Sequence, residues 1–316
     1  MRVLISEFMD AAAVAELARE FDTEFAPELA DRRSELLAKV READALIVRN
    51  RTRVDREVLE AAPKLRVVGR LGVGLDNIDV PACGARGVKV IPATGANAAA
   101  VAEYVIGTAM ALLRGAYSHG AAVAAGEWPR AALSGGCEIG GKVLGLLGFG
   151  NIGRLTAHLA AALGMRVLAH DPLLAADAAL PQGAERVSLE RLLAESDVLS
   201  LHVPLTAETR GLLDRERLRS MKRSAILIDT ARGGIVDEAA LAQMLKDGKL
   251  GGAALDVFAQ EPLGPGSPWA ALAGAHNVIL TPHIAGVTVE SNQRVSALVA
   301  HRVAEFLRAG TTPCRQ

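Results

Sequence analysis

The sequence predicts an α/β protein with two doubly wound parallel sheets. Short apolar runs of strand length alternate with alanine- and leucine-rich runs of helical length along nearly the whole chain, a pattern typical of parallel sheets. Residues 142–171 form one complete unit of strand, glycine-rich turn, helix and second strand. The length of 316 residues suits two domains better than a single core.

The first part of the chain predicts a small sheet of its own. Its apolar runs predict strands at residues 3–6, 45–48, 67–69 and 88–91. Two further runs predict helices at residues 11–21 and 34–41. Because this part contains no complete phosphate-binding fingerprint, we expect it to form a separate and smaller domain.

The second part predicts a larger sheet, preceded by a long helix from Asn97 to about Leu113 with a continuation toward Ala125. Its strands are predicted at residues 143–147, 166–169, 198–201, 225–229, 252–255 and 278–280. A last helix, residues 288–308, follows the final strand and is expected to return to the first domain. We therefore predict a discontinuous domain of residues 1–97 and 285–316 around an inserted domain of residues 98–284.

The glycine-rich turn has the pattern of a dinucleotide-binding fingerprint. It reads Gly148-Phe149-Gly150-Asn151-Ile152-Gly153 between an apolar strand and a helix. Gly148 permits a tight turn, and Gly150 lets the backbone approach a pyrophosphate. Gly153 lets the helix pack closely on the strand. The pattern therefore predicts a Rossmann domain.

The start of the following helix and the tip of the second strand complete this fingerprint. The N–H groups at the helix start, those of Asn151 and Ile152 included, would face the phosphates at the positive end of the helix dipole. Asp171 follows the second strand and can accept hydrogen bonds from both adenosine ribose hydroxyls. Since a carboxylate repels a 2′-phosphate, Asp171 favours NAD over NADP as the cofactor.

Charge and composition argue against several functional classes. The formal net charge is −1 and no basic block is present, so nothing predicts a nucleic-acid or membrane partner. The N-terminus enters a strand pattern without a signal-peptide architecture. The cysteines, Cys83, Cys137 and Cys314, are far apart, which predicts free thiols in a reducing cytoplasm. No clustered set of histidine and acidic residues predicts a metal site, so a metal-dependent hydrolase ranks last.

Three chemically active residues follow predicted strands of the second sheet. Arg232, Glu261 and His283 come after the strands at 225–229, 252–255 and 278–280. Ligands bind beyond the carboxyl ends of strands in such sheets. Arg232 can hold a carboxylate bidentately, and His283 can give or take a proton. Glu261 beside it would favour the imidazolium and fix the ring tautomer. Together they suit the interconversion of a 2-hydroxy acid and a 2-oxo acid.

Motifs along nearly the whole chain resemble those of the D-isomer-specific 2-hydroxyacid dehydrogenases. The motifs are the fingerprint above, Gly69-Arg70-Leu71-Gly72-Val73-Gly74-Leu75-Asp76-Asn77-Ile78-Asp79, His202-Val203-Pro204-Leu205-Thr206, Asp229-Thr230-Ala231-Arg232-Gly233-Gly234, Leu255-Asp256-Val257-Phe258 with Glu261-Pro262, and Thr281-Pro282-His283-Ile284-Ala285-Gly286. The resemblance implies an NAD-binding Rossmann domain inserted in a flavodoxin-like substrate domain. It also implies catalytic roles for Arg232, Glu261 and His283.

The same resemblance implies further contacts. Asp256 is similar to the residue that binds the nicotinamide carboxamide. The other residues implied to contact the cofactor are His202, Pro204, Thr206, Thr230, Ala231 and His283. The loop Leu71-Gly72-Val73-Gly74 resembles the loop whose N–H groups hold the substrate carboxylate, next to Arg232 and His283. The long helix after Asn97 resembles a dimerisation arm, so a homodimer is expected.

An arginine cluster in the first domain bears on which acid is the substrate. Alternation along an extended segment would put Arg49, Arg51 and Arg53 on one side, and Arg70 precedes the substrate loop. For Arg53 a solvated edge is the favoured interpretation. Arg49, Arg51 and Arg70 indicate a second anionic group on the substrate, with Arg130 as a further candidate.

The substrate therefore stays open between several acids. The Gly-Arg-x-Gly-x-Gly-x-Asp-Asn-Ile-Asp form resembles the phosphoglycerate dehydrogenase branch, which favours 3-phosphoglycerate. The opening Ile5-Ser6-Glu7-Phe8-Met9-Asp10 favours a sulfolactate dehydrogenase as a rival, and a glycerate or hydroxypyruvate reductase is a further alternative. A non-catalytic dinucleotide-sensing protein is a remote alternative, since Arg232, Glu261 and His283 are all present.

Overall fold

The computed structural model describes residues 1–174, 180 and 183–309. The chain divides into two compact units, Met1–Asn97 with Val287–Gln316, and Ala98–Gly286. Each unit is built on one sheet in which all paired strands run parallel, with helices between the strands. The predicted α/β class is confirmed.

The first unit has a five-stranded sheet. Its strands are β1 (Arg2–Ile5), β2 (Asp22–Phe25), β3 (Ala45–Val48), β4 (Val67–Arg70) and β5 (Lys89–Pro92). Their spatial order, β2-β1-β3-β4-β5, is that of a flavodoxin-like sheet. The helices between them are α1 (Ala11–Ala18), α2 (Arg33–Lys39), α3 (Arg56–Ala61) and α4 (Val80–Ala85).

Strand β2 was not among the predicted strands. It lies at the edge of the sheet and reads Asp-Thr-Glu-Phe, so it has neither an apolar run nor buried residues. Its parallel pairing with β1, which joins Arg2 to Asp22 and Ile5 to Phe25, defines it as a strand. Helices α3 and α4 are not predicted from the sequence either, because each has only six residues. Aspartates cap both: Asp55 accepts a hydrogen bond from the N–H of Val58 at 3.1 Å, and Asp79 one from the N–H of Ala82 at 2.9 Å.

The second unit has a seven-stranded sheet. Its strands are β6 (Val143–Leu147), β7 (Arg166–His170), β8 (Glu185–Arg186), β9 (Val198–Leu201), β10 (Ile226–Asp229), β11 (Gly252–Leu255) and β12 (Val278–Leu280). Their order, β12-β11-β10-β9-β6-β7-β8, reverses direction between β6 and β9, as in a Rossmann sheet. Its helices are α5 (Ala98–Arg114), α6 (Gly120–Ala124), α7 (Asn151–Ala162), α8 (Leu189–Glu195), α9 (Arg215–Arg219) and α10 (Glu238–Lys246).

The predicted continuation of α5 toward Ala125 is wrong. The helix ends at Arg114, and Gly115 has a left-handed φ of 65°, which stops the helix. A short 3-10 turn and α6 follow. Among the described residues no single helix is long and apolar enough to cross a membrane, and α5 passes that test only jointly with residues 117–124, at a 70° bend.

The C-terminal helix, α11 (Val289–Ala309), packs on the sheet of the first unit. A Cβ added to Gly69 in β4 would lie 2.8 Å from Val299 Cγ1 and 2.9 Å from Val303 Cγ2. The glycine therefore allows the helix to approach the strand closely. This helix belongs to the same unit as the N-terminal strands.

Candidate functional site

The fingerprint turn after β6 has the conformation that its glycines suggest. Gly148 has a φ of 96°, and an added Cβ there would lie 2.6 Å from the carbonyl oxygen of His202. A Cβ on Gly153 would lie 2.5 Å from the carbonyl oxygen of Gly148, so helix α7 approaches the turn closely. A Cβ on Gly150 would meet nothing within 4 Å. Space for a ligand is therefore open at Gly150, where a pyrophosphate is predicted.

The start of α7 is suited to an anion. Gly150 is the N-cap residue, and no side chain among the described residues caps the N–H groups of Asn151, Ile152 and Gly153. Asp171 lies beside this turn, where its Oδ2 accepts a hydrogen bond from the N–H of Phe149 at 2.8 Å and its Oδ1 one from the N–H of Leu173 at 2.9 Å. These bonds fix the carboxylate after β7, where the fingerprint requires an acidic residue.

Two buried polar atoms near this turn have no hydrogen-bond partner among the described residues: His202 Nδ1 and Thr230 Oγ1. They follow β9 and β10, at the same edge of the sheet. Burial lowers the pKa of His202 to about 4, so its ring is neutral at physiological pH. Its Nε2 lies 3.0 Å from Ser200 Oγ. Buried polar groups are almost always satisfied, so these two atoms fit a polar ligand such as the predicted dinucleotide.

The remaining residues predicted to line the cofactor lie in the same loops. Pro204 and Thr206 are exposed after β9, and Pro204 O accepts a hydrogen bond from Thr209 Oγ1 at 2.6 Å. Ala231 is buried after β10, and its N–H donates to Asp229 Oδ1 at 2.9 Å. Burial raises the pKa of Asp229 to about 7.

His283 and Glu261 form a direct pair. His283 Nδ1 lies 2.8 Å from Glu261 Oε2. The other carboxylate oxygen, Glu261 Oε1, accepts a hydrogen bond from the N–H of Phe258 at 3.0 Å. The carboxylate thus holds the imidazole by Nδ1 and leaves Nε2 for another partner. Both side chains are partly exposed, at 42% and 37%, so a substrate can reach them.

The turn that carries Arg232 packs against the turn that carries Glu261. A Cβ on Gly233 would lie 1.9 Å from the carbonyl oxygen of Phe258, so only glycine fits this approach. Arg232 is half-buried, and its Nη1 donates to Ala231 O at 2.6 Å. The carboxyl ends of β10, β11 and β12 therefore bring together the three loops in which the sequence predicts catalytic residues.

Sequence reasoning missed a hydrogen-bond network behind His283. Asp256 is 1% exposed, and its carboxylate accepts hydrogen bonds from Thr281 Oγ1 at 2.6 Å and from the N–H groups of Ile284 and Ala285 at 2.7 and 2.8 Å. Tyr104 of α5 lies 2.7 Å from the Thr281 hydroxyl. No pattern in the sequence links Tyr104 to Thr281, 177 residues away. The nicotinamide contact assigned to Asp256 stays a prediction.

In the first unit, Arg70 lies against the predicted substrate loop. Its Nη1 donates to Leu71 O at 2.8 Å. Gly72 has a φ of 155°, and an added Cβ would lie 1.6 Å from Arg70 Nη1. The absence of a side chain at Gly72 therefore makes room for the guanidinium. Val73 in the same loop is 39% exposed, and Gly74 is half-buried.

The other arginines of the predicted cluster differ from one another. Arg49 is half-buried, with Nη2 3.0 Å from Asn292 Oδ1. Arg51 is exposed and forms an ion pair with Asp31. Arg53 is exposed, as is Arg130 in the second unit. The predicted extended alternation is wrong, because the N–H groups of residues 49–52 all point toward the Glu7 carboxylate and the segment bends. Of Arg49, Arg51 and Arg53, only Arg49 is half-buried.

No group of three or more metal-ligating side chains is found in the part of the chain that the structure describes. Cys83 is buried and Cys137 exposed, both as free thiols, and Cys314 lies outside the described residues.

Comparisons with known proteins agree with this geometry. The pattern of the family described as D-isomer specific 2-hydroxyacid dehydrogenase, NAD binding domain, matches residues 106–285. An (S)-sulfolactate dehydrogenase of Chromohalobacter salexigens is 55% identical over 306 residues, 96% of this chain and 98% of that protein. A D-3-phosphoglycerate dehydrogenase of Mycobacterium tuberculosis is 43% identical over 95% of this chain, which spans only 56% of that relative. The structure of a D-lactate dehydrogenase from Aquifex aeolicus, complexed with NAD and lactic acid, superimposes with a TM-score of 0.83 at 29% identity and covers 98% of this chain and 96% of that one.

Proposed function

This chain belongs to the D-isomer-specific 2-hydroxyacid dehydrogenase family and is an NAD-dependent oxidoreductase acting on CH–OH groups, and we propose that it interconverts a 2-hydroxy acid and a 2-oxo acid that carry a second anionic group. We further propose Arg232, Glu261 and His283 as its catalytic residues. The observation that carries this assignment is the 2.8 Å contact of His283 Nδ1 with Glu261 Oε2.

The pair makes His283 a directed proton carrier. With Nδ1–H donating to Glu261, Nε2 faces the substrate oxygen. In oxidation Nε2 takes the hydroxyl proton, and in reduction it returns a proton to the carbonyl oxygen. Glu261 stabilises the imidazolium that exists between these events. Arg232 holds the substrate carboxylate and thereby orients C2.

Several features of the second unit support the proposed NAD contacts. When bound, the cofactor would supply the hydride acceptor for oxidation at C2 and, in its reduced form, the hydride donor for reduction. The open space at Gly150 and the uncapped N–H groups of Asn151, Ile152 and Gly153 suit the pyrophosphate. Asp171 suits the adenosine ribose. His202 Nδ1 and Thr230 Oγ1 have no hydrogen-bond partner among the described residues and suit polar groups of the cofactor. The remaining proposed contacts are those of Pro204, Thr206, Ala231 and Asp256.

In the first unit, we assign substrate binding to the loop Leu71-Gly72-Val73-Gly74 and to Arg49 and Arg70. Arg51 takes no part in this proposal, because its guanidinium pairs with Asp31 on the surface. A guanidinium binds a sulfonate or a phosphate through the same hydrogen bonds. The 55% identity to a sulfolactate dehydrogenase over nearly the whole of both chains supports a sulfonate as the second group.

A second candidate substrate is 3-phosphoglycerate. The 43% identity to phosphoglycerate dehydrogenases favours it, although this chain spans about half the length of those relatives. Glycerate, the product of hydroxypyruvate reduction, carries no second anionic group and is the least supported candidate substrate.

The experiment is NADH oxidation by the purified protein with sulfopyruvate, 3-phosphohydroxypyruvate, hydroxypyruvate, glyoxylate and pyruvate in parallel. We expect sulfopyruvate to give the highest kcat/KM. Preference for 3-phosphohydroxypyruvate would select the second candidate, and preference for a monoanion would overturn the second-anion proposal. NADH binding without turnover of any acid would instead favour a sensing protein.

We also infer a homodimer in the cytoplasm, where NAD is available. Exposed apolar residues in and after α5 support the dimer: Met110, Tyr117, Val123 and Trp128, with Tyr117 and Trp128 at 74% and 78% exposure. Light scattering coupled to gel filtration should give twice the mass of 33.0 kDa. A monomer at micromolar concentration would contradict this inference.

A further inference from the structure

Glu7 is a buried carboxylate that the chemistry above does not use. It follows β1 and is 4% exposed. Its oxygens accept hydrogen bonds from four successive backbone N–H groups, those of Arg49 at 2.7 Å, Asn50 at 3.2 Å, Arg51 at 3.1 Å and Thr52 at 2.9 Å. Successive N–H groups that converge in this way form an anion-binding turn. Here the anion is a side chain of the protein itself.

Two neighbours hold the same loop from other directions. Ser6 Oγ lies 3.0 Å from Thr52 Oγ1. Asn77 Nδ2 donates to Thr52 O at 2.7 Å and to Arg49 O at 3.3 Å. The backbone of residues 49–52 is therefore hydrogen-bonded at both its N–H and its carbonyl groups, and Glu7 accepts most of these hydrogen bonds.

The Arg49 side chain is the group that this loop presents. Its guanidinium lies 5.8 Å from the centre of the Phe8 ring and 3.0 Å from Asn292 Oδ1. Arg49 forms no ion pair with a described residue, whereas Arg51 pairs with Asp31. The side chains in contact with this guanidinium are neutral, and the Glu7 carboxylate acts on it only through space, so its charge stays available for an external anion.

We propose that Glu7 is a positioning residue that sets the preference for substrates with a second anionic group. It does so by holding residues 49–52 so that the Arg49 guanidinium stays fixed beside Phe8 and Asn292. This inference rests on the proposed function, in which Arg49 binds that second anion.

Removal of the Glu7 charge changes dianion preference in opposite directions for two possible roles of Glu7: its effect through charge and its effect through the position of the loop. As a negative charge near Arg49, Glu7 disfavours a dianion, so its loss would raise dianion preference if charge dominated. As the acceptor of four hydrogen bonds it holds the loop, so its loss would lower that preference if position dominated. We expect the positional effect to dominate, because an amide at this position has only one acceptor oxygen and would direct its NH2 group at backbone N–H groups.

The experiment compares kcat/KM for two dianions, sulfopyruvate and 3-phosphohydroxypyruvate, with kcat/KM for pyruvate at saturating NADH. Glu7→Gln should lower the ratio for the preferred dianion by about tenfold or more, the scale of one charge-assisted hydrogen bond. Turnover of pyruvate should be unchanged. Glu7→Asp should also lower the ratio, because the shorter side chain cannot reach all four N–H groups. Glu16→Gln, the same change on the exposed side of α1, is the matched control.

Each outcome of this experiment either supports or overturns the inference about Glu7. A ratio that is unchanged or higher in Glu7→Gln overturns the inference, and so does an equal loss on dianion and pyruvate, which marks a general structural role. Wild-type protein without dianion preference overturns the proposed substrate class, and the inference falls with it. Should both Glu7 variants fail to fold, Asn77→Ala is expected to lower the ratio by loosening the same loop, and an unchanged ratio there overturns the inference.

Discussion

His283 is held by contacts to its backbone and to its ring. Its backbone N–H donates to Asp256 O at 2.9 Å, and its φ of 57° lies in the left-handed region. A residue other than glycine costs about 1–3 kcal/mol in such a conformation, so the surrounding bonds must hold it there. The result is a ring that presents Nδ1 to Glu261 and leaves Nε2 for the proposed proton transfer.

Replacement of His283 tests its role as the proton carrier. His283→Ala should lower kcat by roughly two to four orders of magnitude, the usual effect of losing a general acid–base group. Affinity for NADH, measured by fluorescence titration, should remain. His301→Ala, an exposed histidine on α11, serves as the control. Near-normal turnover in His283→Ala would assign proton transfer to another group.

Asp171 is the residue at which cofactor choice is tested. Its carboxylate is fixed by the N–H groups of Phe149 and Leu173, so in the proposed complex it would meet the ribose in one geometry. Asp171→Ala should lower the ratio of kcat/KM for NAD over NADP, because both the hydrogen bonds and the repulsion of a 2′-phosphate are lost. If steady-state kinetics give the same ratio for the variant as for the wild type, a group other than Asp171 distinguishes NAD from NADP.

Among the secondary-structure elements, α5 contacts the loop that carries His283, and no sequence pattern predicts this contact. The Thr281 hydroxyl has one proton, which it donates to Asp256 Oδ1, so the Tyr104 hydroxyl donates to Thr281. Burial raises the pKa of the Tyr104 phenol and keeps it protonated for this role. Asp256 in turn holds the N–H groups of Ile284 and Ala285, directly after His283.

Loss of this network should slow catalysis without changing cofactor binding. Tyr104→Phe and Thr281→Val should each lower kcat by roughly tenfold, the scale of a buried hydrogen bond, with KM for NADH unchanged. Thr281→Ser keeps the hydroxyl and should restore most of kcat. Tyr117→Phe removes the only other tyrosine hydroxyl, which is exposed, and should have no effect. Equal kinetics for Thr281→Val and Thr281→Ser would rule out the hydroxyl as the active feature.

For the whole molecule, two buried groups of the larger sheet give stability opposite dependences on pH. The raised pKa of Asp229, about 7, means that the folded state holds its proton more tightly than the unfolded state, where the value is near 3.8. Its contribution to stability is present below about pH 4 and is lost as pH rises to about 7. His202, lowered to about 4 from 6.5, contributes above about pH 6.5 and loses its contribution as pH falls to about 4.

Single substitutions should separate these two contributions. The free energy of unfolding of Asp229→Asn should gain on that of the wild type as pH rises from about 4 to about 7, at up to about 1.4 kcal/mol per unit of pKa shift. His202→Asn should show the reverse trend over pH 4 to 6.5. Urea unfolding at several pH values measures both. Parallel curves for wild type and Asp229→Asn would mean that Asp229 titrates alike in the folded and unfolded states.

The fold class, the glycine-rich turn and the proposed catalytic set all follow from the sequence alone. These features depend on local chemistry: apolar periodicity defines strands and helices, and glycine is needed wherever backbone approaches backbone, as at Gly153 and Gly233. The residues that follow strand ends are brought to one edge by the parallel sheet itself. The positions of Arg232, Glu261 and His283 after strand ends therefore favour a common site on sequence grounds alone.

Which polar side chains meet across long separations along the chain depends on the tertiary structure. Glu7 holds a loop 42 to 45 residues away, and Tyr104 reaches Thr281 across 177 residues. Arg51 forms an ion pair with Asp31, whereas Arg49, two residues earlier in the same segment, forms none with a described residue. Edge strand β2 forms because β1 offers it a partner. A side-chain hydrogen bond depends on where the backbone carries each group in space, and periodicity along the chain does not record that position.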